Sequence, residues 1–123
     1  MNKKDKIVCE MKYRGLLDFN SMGQRSEGCA KYWRGTTYDH WRVLSDIVYA
    51  LKTDYKMKVY TEAIFKNGGR ADIFAYDGPF AVIIEVLHTE KEAKAIKKNE
   101  YYPQDIPIIM IKTKDFSVDK FKL

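Results

Sequence analysis

Little in this chain points to sulfur or zinc chemistry. Cys9 and Cys29 stand twenty positions apart, neither belongs to a CxxC pair, and only two histidines accompany them. That usage argues against a thiolate–imidazole zinc site and leaves two reduced, partly buried thiols as the expectation. No run approaches the roughly 20 uninterrupted apolar residues that a membrane-spanning helix needs. The first residues, Met-Asn-Lys-Lys-Asp-Lys, carry charge, but no apolar stretch follows them. No secretory signal is therefore expected, and a cytoplasmic location is. Repeats, low-complexity tracts and Pro- or Ser-rich linkers are missing too. At 123 residues without such a break, the chain fits one domain with a real core.

What is present is charge and a strongly patterned middle. The net charge of +5 suits a polyanionic partner such as DNA, although a solvated lysine-rich surface gives the same count. Residues 1–37 read as an N-terminal extension, in which short apolar pieces (Ile7-Val8, Leu16-Leu17) alternate with glycines and suggest short strands or turns. The cluster Lys31-Tyr32-Trp33-Arg34 suits either base stacking or a lid on the core. A core over 38–113 follows. Trp41, Leu44, Ile47, Val48 and Leu51 recur at helical spacing over 38–51, with Thr37 or Asp39 as N-cap and His40 on the margin of the stripe.

Three strands are then expected, at about 59–65, 71–76 and 80–88. Asn67-Gly68-Gly69 and Asp77-Gly78-Pro79 supply the turns between them. A three-residue loop over 67–69 would set Lys66 opposite Arg70 and Ile64 opposite Asp72, making Glu62 and Asp72 diagonal neighbours on one face. A two-residue loop would separate them. A lysine-rich helix at 90–101, with Ala93 and Ile96 as its thin apolar side and Pro103 as its stop, leads to an apolar strand at 106–113. That order predicts parallel pairing of the third and fourth strands. The tail over 115–123 reads as a short final helix.

Glu85 interrupts the apolar run from Phe80 to Leu87, where a carboxylate costs several kcal/mol unless a cation or a hydrogen-bond network compensates. With Asp72 and Glu62 on neighbouring strands it offers a hard oxygen-donor set suited to Mg²⁺ or Mn²⁺. Such an ion can activate water and neutralise charge developing on a phosphodiester. The bland readings are a Glu85 paired with a lysine or backbone amides, an Asp72 bonded to nearby backbone, a solvated Glu62 on an edge strand, and an Arg70 that is an ordinary hairpin cation instead of a phosphate clamp.

Arg70-Ala71-Asp72 followed by Ile84-Glu85-Val86-Leu87, within a helix–strand–strand–strand–helix–strand order over 38–113, resembles the PD-(D/E)XK nuclease superfamily. The further detail of Glu62, the Gly68-Gly69-Arg70-Ala71-Asp72 turn and Glu85-Val86-Leu87-His88-Thr89 is most similar to its small competence-associated, CoiA-like branch. The resemblance implies a restriction-endonuclease-like α/β core: a helix, three antiparallel strands, a helix and a strand, with a mixed central sheet flanked by helices. It also implies Mg²⁺-dependent cleavage of DNA, with Asp72 and Glu85 as metal ligands, Glu62 as an auxiliary ligand, and a possible homodimer. Arg70, His40, Lys91 and Lys98 would then face the nucleic acid. The superfamily's lysine two residues after the second acid is Leu87 here. Lys94, about one turn into the following helix, is the chosen substitute, while alternation sends His88 to the face opposite Glu85. Without a substitute, the expectation becomes a catalytically inactive relative that binds nucleic acid or a protein partner.

Overall fold

A computed structural model of the chain describes residues 1–22, 27–30, 37–87 and 101–123. Within them the order is α1 (Lys3–Arg14), α2 (Tyr38–Thr53), β1 (Lys58–Ile64), β2 (Arg70–Asp77), β3 (Phe80–Leu87) and β4 (Ile108–Lys112), followed by two single 3-10 turns at Thr113–Asp115 and Val118–Lys120. The strands form one mixed sheet in the order β1-β2-β3-β4. β1 and β3 both pair antiparallel with β2, and β4 joins β3 in parallel. The chain is thus an α/β protein with the expected strand order. Of the lysine-rich helix expected at 90–101 only Tyr101 is described, and the aromatic–basic cluster at Lys31-Tyr32-Trp33-Arg34 lies outside the described residues.

Helix α2 forms where the apolar spacing demands it. Thr37 caps it by accepting the His40 backbone N–H at 3.2 Å. Val43, Leu44, Ile47, Val48 and Leu51 are buried against Val59, Ile73, Ala75, Val82, Ile84 and Val86. Each such side chain, fully buried, contributes about 1.5–3 kcal/mol before the cost of ordering it. Trp41, at the start of the stripe, is only partly buried and donates its indole N–H to the Ala30 carbonyl at 3.3 Å.

The other face carries a second cluster, in which Tyr13 and Leu17 pack with Tyr60, Phe65, Phe74, Tyr76, Ile83 and Tyr102. Here the structure departs from the expectation of strands or turns near the N-terminus, because residues 3–14 are helical. Asn2 caps α1 by accepting the Asp5 N–H at 2.8 Å. Periodicity did not announce this helix because Ile7, Val8 and Met11 stay exposed and only Tyr13 is buried. It docks by its last turn. The Tyr13 hydroxyl donates to the Pro79 carbonyl at 2.6 Å, and Arg14 donates to the Tyr60 hydroxyl at 2.8 Å.

The tail over 115–123 is not a helix either. Phe116 and Phe121 turn back onto the α2 face, and only the two 3-10 turns form. Cys9 is partly buried, as expected, but Cys29 is exposed, and both are free thiols. Among the described residues no helix is long and apolar enough to cross a membrane.

One polar atom sits awkwardly in the aromatic cluster. The Tyr76 hydroxyl is buried and has no hydrogen-bond partner among the described residues. Burial first, and the neighbouring Tyr60 second, push its ionisation above the ordinary tyrosine range. The stability tied to the neutral phenol is therefore full below the unfolded value, near pH 10, and is lost as pH rises toward the folded one. An unsatisfied buried donor costs about 1–3 kcal/mol. Tyr76→Phe is expected to melt no lower than wild type at neutral pH, and to lose less stability than wild type above about pH 10. Thermal melts across that range check both.

Candidate functional site

The three acids named by the sequence are brought together in a row across the sheet. Thr61 pairs with Ile73 and Ala63 with Ala71, so Glu62 falls opposite Asp72 in the count. Ile73 pairs with Ile84 as the last recorded rung between β2 and β3, and one step further sets Asp72 opposite Glu85. Glu85 in turn pairs with Met110 of β4. The register differs from the expected one. Phe65 N–H bonds to the Gly69 carbonyl at 2.8 Å, so the loop is Lys66-Asn67-Gly68 and Ile64, not Lys66, faces Arg70. Gly68, at φ +98°, supplies the left-handed position that such a loop needs. The correction moves Glu62 from a diagonal to a direct neighbour of Asp72.

At this row both hairpin strands turn over. Tyr60 and Phe74 belong to the α1-face cluster, and strict alternation would send Ala63, Phe65 and Ala71 to the α2 face; they join the α1 face instead. The inversion happens at Glu62 and Asp72, where no rung forms. Glu62 takes a left-handed backbone, φ 48°, which costs a residue with a side chain about 1–2 kcal/mol. Asp72 compensates the lapsed rung on its other side: its Oδ2 accepts the Val86 N–H at 2.8 Å. The carboxylate therefore lies between β2 and β3 along the ladder.

Each acid has its own protein partner. Glu62 accepts from the Arg70 guanidinium at 2.9 Å, with Arg70 largely exposed. Glu85 is 3% exposed and takes the Tyr102 hydroxyl on Oε1. That hydroxyl also lies 2.7 Å from the Arg70 carbonyl. In the described residues Arg70 is thus a hairpin cation bound to Glu62. His40 opens α2, which packs on the face opposite Tyr102, and its backbone N–H is used in the cap. Leu87 is buried. Lys91, Lys94, Lys98 and His88 lie outside the described residues.

The donor chemistry can be compared with that of a hard cation. Among the described residues no group of three His, Cys, Asp or Glu side chains gathers closely enough to hold a metal. The expected trio is not assembled as a three-ligand cage. Asp72 and Glu85, however, are oxygen-only ligand side chains on adjacent strands. Mg²⁺ is commonly held by one or two carboxylates, with waters and substrate phosphate completing its shell, so the pair fits that ion in kind.

Tyr102 is the residue that sequence reading missed. It stands just before Pro103, at the foot of a lysine-rich segment, where a tyrosine reads as a helix-end residue with no distinguishing pattern. No family model, curated protein or solved structure matches the chain.

The Glu62 backbone gives a direct test of the strained row. Its exposed ion pair with Arg70 is worth no more than about 1 kcal/mol. Glycine and alanine both lose the pair, but only glycine relieves the left-handed strain. Glu62→Gly is expected to be more stable than Glu62→Ala by about 1 kcal/mol in urea denaturation.

Proposed function

We propose that this chain is a Mg²⁺-dependent nuclease that hydrolyses DNA phosphodiester bonds in the cytoplasm, on a restriction-endonuclease-like core. The observation that carries the reading is the meeting of Asp72 and Glu85 across β2 and β3 where main-chain pairing lapses, with Glu62 next in the row. Support also comes from the mixed sheet, with three antiparallel strands and a fourth parallel to the third. The net charge of +5 suits a polyanionic substrate.

In this reading Asp72 and Glu85 hold the ion, assisted by Glu62 and the Val86 carbonyl. A divalent ion supplies Lewis acidity at the scissile phosphate and neutralises the charge that builds on it. The chain's own residues do the positioning. Asp72, tied to the Val86 N–H, keeps the start of β2 and the end of β3 at a constant separation. Glu85 presents a carboxylate from a buried strand, where its orientation is held by packing instead of solvent. Lys94 is assigned the role of the absent lysine, and Arg70, His40, Lys91 and Lys98 the phosphate contacts. A homodimer would give so small a chain enough surface to grip a duplex.

A second reading, a catalytically inactive nuclease-fold protein that binds nucleic acid or a protein partner, is favoured by the buried Leu87 at the lysine position. Nicking of supercoiled plasmid in Mg²⁺ separates the two. The nuclease reading expects wild type to nick, and Asp72→Asn and Glu85→Gln to lose more than the roughly 10–100-fold typical of an outer-shell change. Retardation of DNA in a gel with no cleavage in Mg²⁺ or Mn²⁺ selects the second reading.

A further inference from the structure

Tyr102 occupies a position that nothing in the nuclease reading assigns. It is 3% exposed, and its ring meets Phe65 edge-on at a centroid separation of 5.9 Å. The segment carrying it is pressed against the β1–β2 turn. A Cβ at Gly69 would collide with the Tyr101 carbonyl and the Tyr102 ring, so glycine is required there for space and not for its backbone angle. This close approach sets one hydroxyl between two acceptors, the Glu85 carboxylate and the main-chain carbonyl of Arg70, which share its single proton. Arg70 in turn bonds Glu62 by its side chain and opens the strand that holds Asp72 two residues later.

We propose that Tyr102 is the positioning residue of the acid row: its phenol holds the Glu85 carboxylate and the start of β2 in the arrangement that receives a divalent cation. The proposal rests on the metal-site reading of Asp72 and Glu85. A glutamate side chain has three torsions, and a fixed hydroxyl on one oxygen selects among them in advance, as outer-shell partners do for metal ligands generally. The contact is directional and buried, so solvent does not replace it when the hydroxyl is removed. Tyr102 acts through Glu85 and is not assigned any contact with substrate.

The test is Mn²⁺ binding by calorimetry on the full chain, with thermal melting alongside. Tyr102→Phe keeps the ring against Phe65 and is expected to fold, melting below wild type because two buried acceptors lose a donor, while binding Mn²⁺ about 10–100-fold more weakly. Glu85→Gln is expected to bind none at this site. Wild-type affinity in Tyr102→Phe overturns the positioning role and leaves the metal site standing. An absence of Mn²⁺ binding in wild type overturns the metal site and the positioning role together, and is recognised in the unaltered chain. Should Tyr102→Phe fail to fold, fluorotyrosine placed at position 102 of the otherwise native chain decides. A fluorine resonance that moves on adding Mg²⁺ supports the contact with the site, and one that stays put overturns it.

Discussion

The bond from the Val86 N–H to the Asp72 carboxylate is the contact around which the site is arranged. A continued antiparallel ladder would give that N–H a main-chain partner on β2, and a buried N–H left without one costs as much as a lost hydrogen bond. By taking it on a side chain, β2 is free to turn over at Asp72 without stranding a donor. The turnover places Ala71 in the same cluster as Phe74 and Tyr76, and it is matched on β1 by the left-handed Glu62. The row of acids and the inversion of the hairpin are therefore one feature. Carboxylates occupy the places where ordinary rungs are absent.

The two faces of the sheet support this row differently. On one face α2 packs a continuous aliphatic stripe over β1, β2 and β3, giving a core that resists deformation by sheer contact. The other face is aromatic and partly polar. Tyr13, Tyr60, Tyr76 and Tyr102 surround Phe65 and Phe74, and several of their hydroxyls reach fixed partners: Pro79, Arg14 and Glu85. A carboxylate buried on an aliphatic face would have no donor to meet. On the tyrosine face Tyr102 is one such donor, and it meets Glu85 within an otherwise apolar strand. The carboxylate and its face were built for one another.

Much of this was legible in residues alone. The α2 stripe, three strands broken by two glycine turns, and the parallel fourth strand follow from periodicity and turn chemistry, and the observed elements agree to within a few residues. The placement of Glu62, Asp72 and Glu85 in one row across neighbouring strands was legible as well, but through a register that was off by one step in the loop, and the three do not gather into one cage among the described residues. What periodicity does not carry is less regular. α1 is anchored by Tyr13 and Arg14 at its end, so its exposed Ile7 and Val8 gave no inward-facing stripe to find. The left-handed Glu62 breaks the alternation rule on which any argument about faces depends. Tyr102 lies seventeen residues beyond Glu85, and it is brought back where its segment packs on Gly69 and Phe65, a contact that no spacing announces.

The central claim is that Asp72 and Glu85 share one cation at the lapsed rung between β2 and β3. A crystal soaked in Mn²⁺ and measured for anomalous scattering tests it most directly. The account predicts a single strong peak bridging the two carboxylates, with Tyr102 still in contact with Glu85. Density showing Glu85 bonded only to protein groups, with Mn²⁺ elsewhere or nowhere, would contradict it.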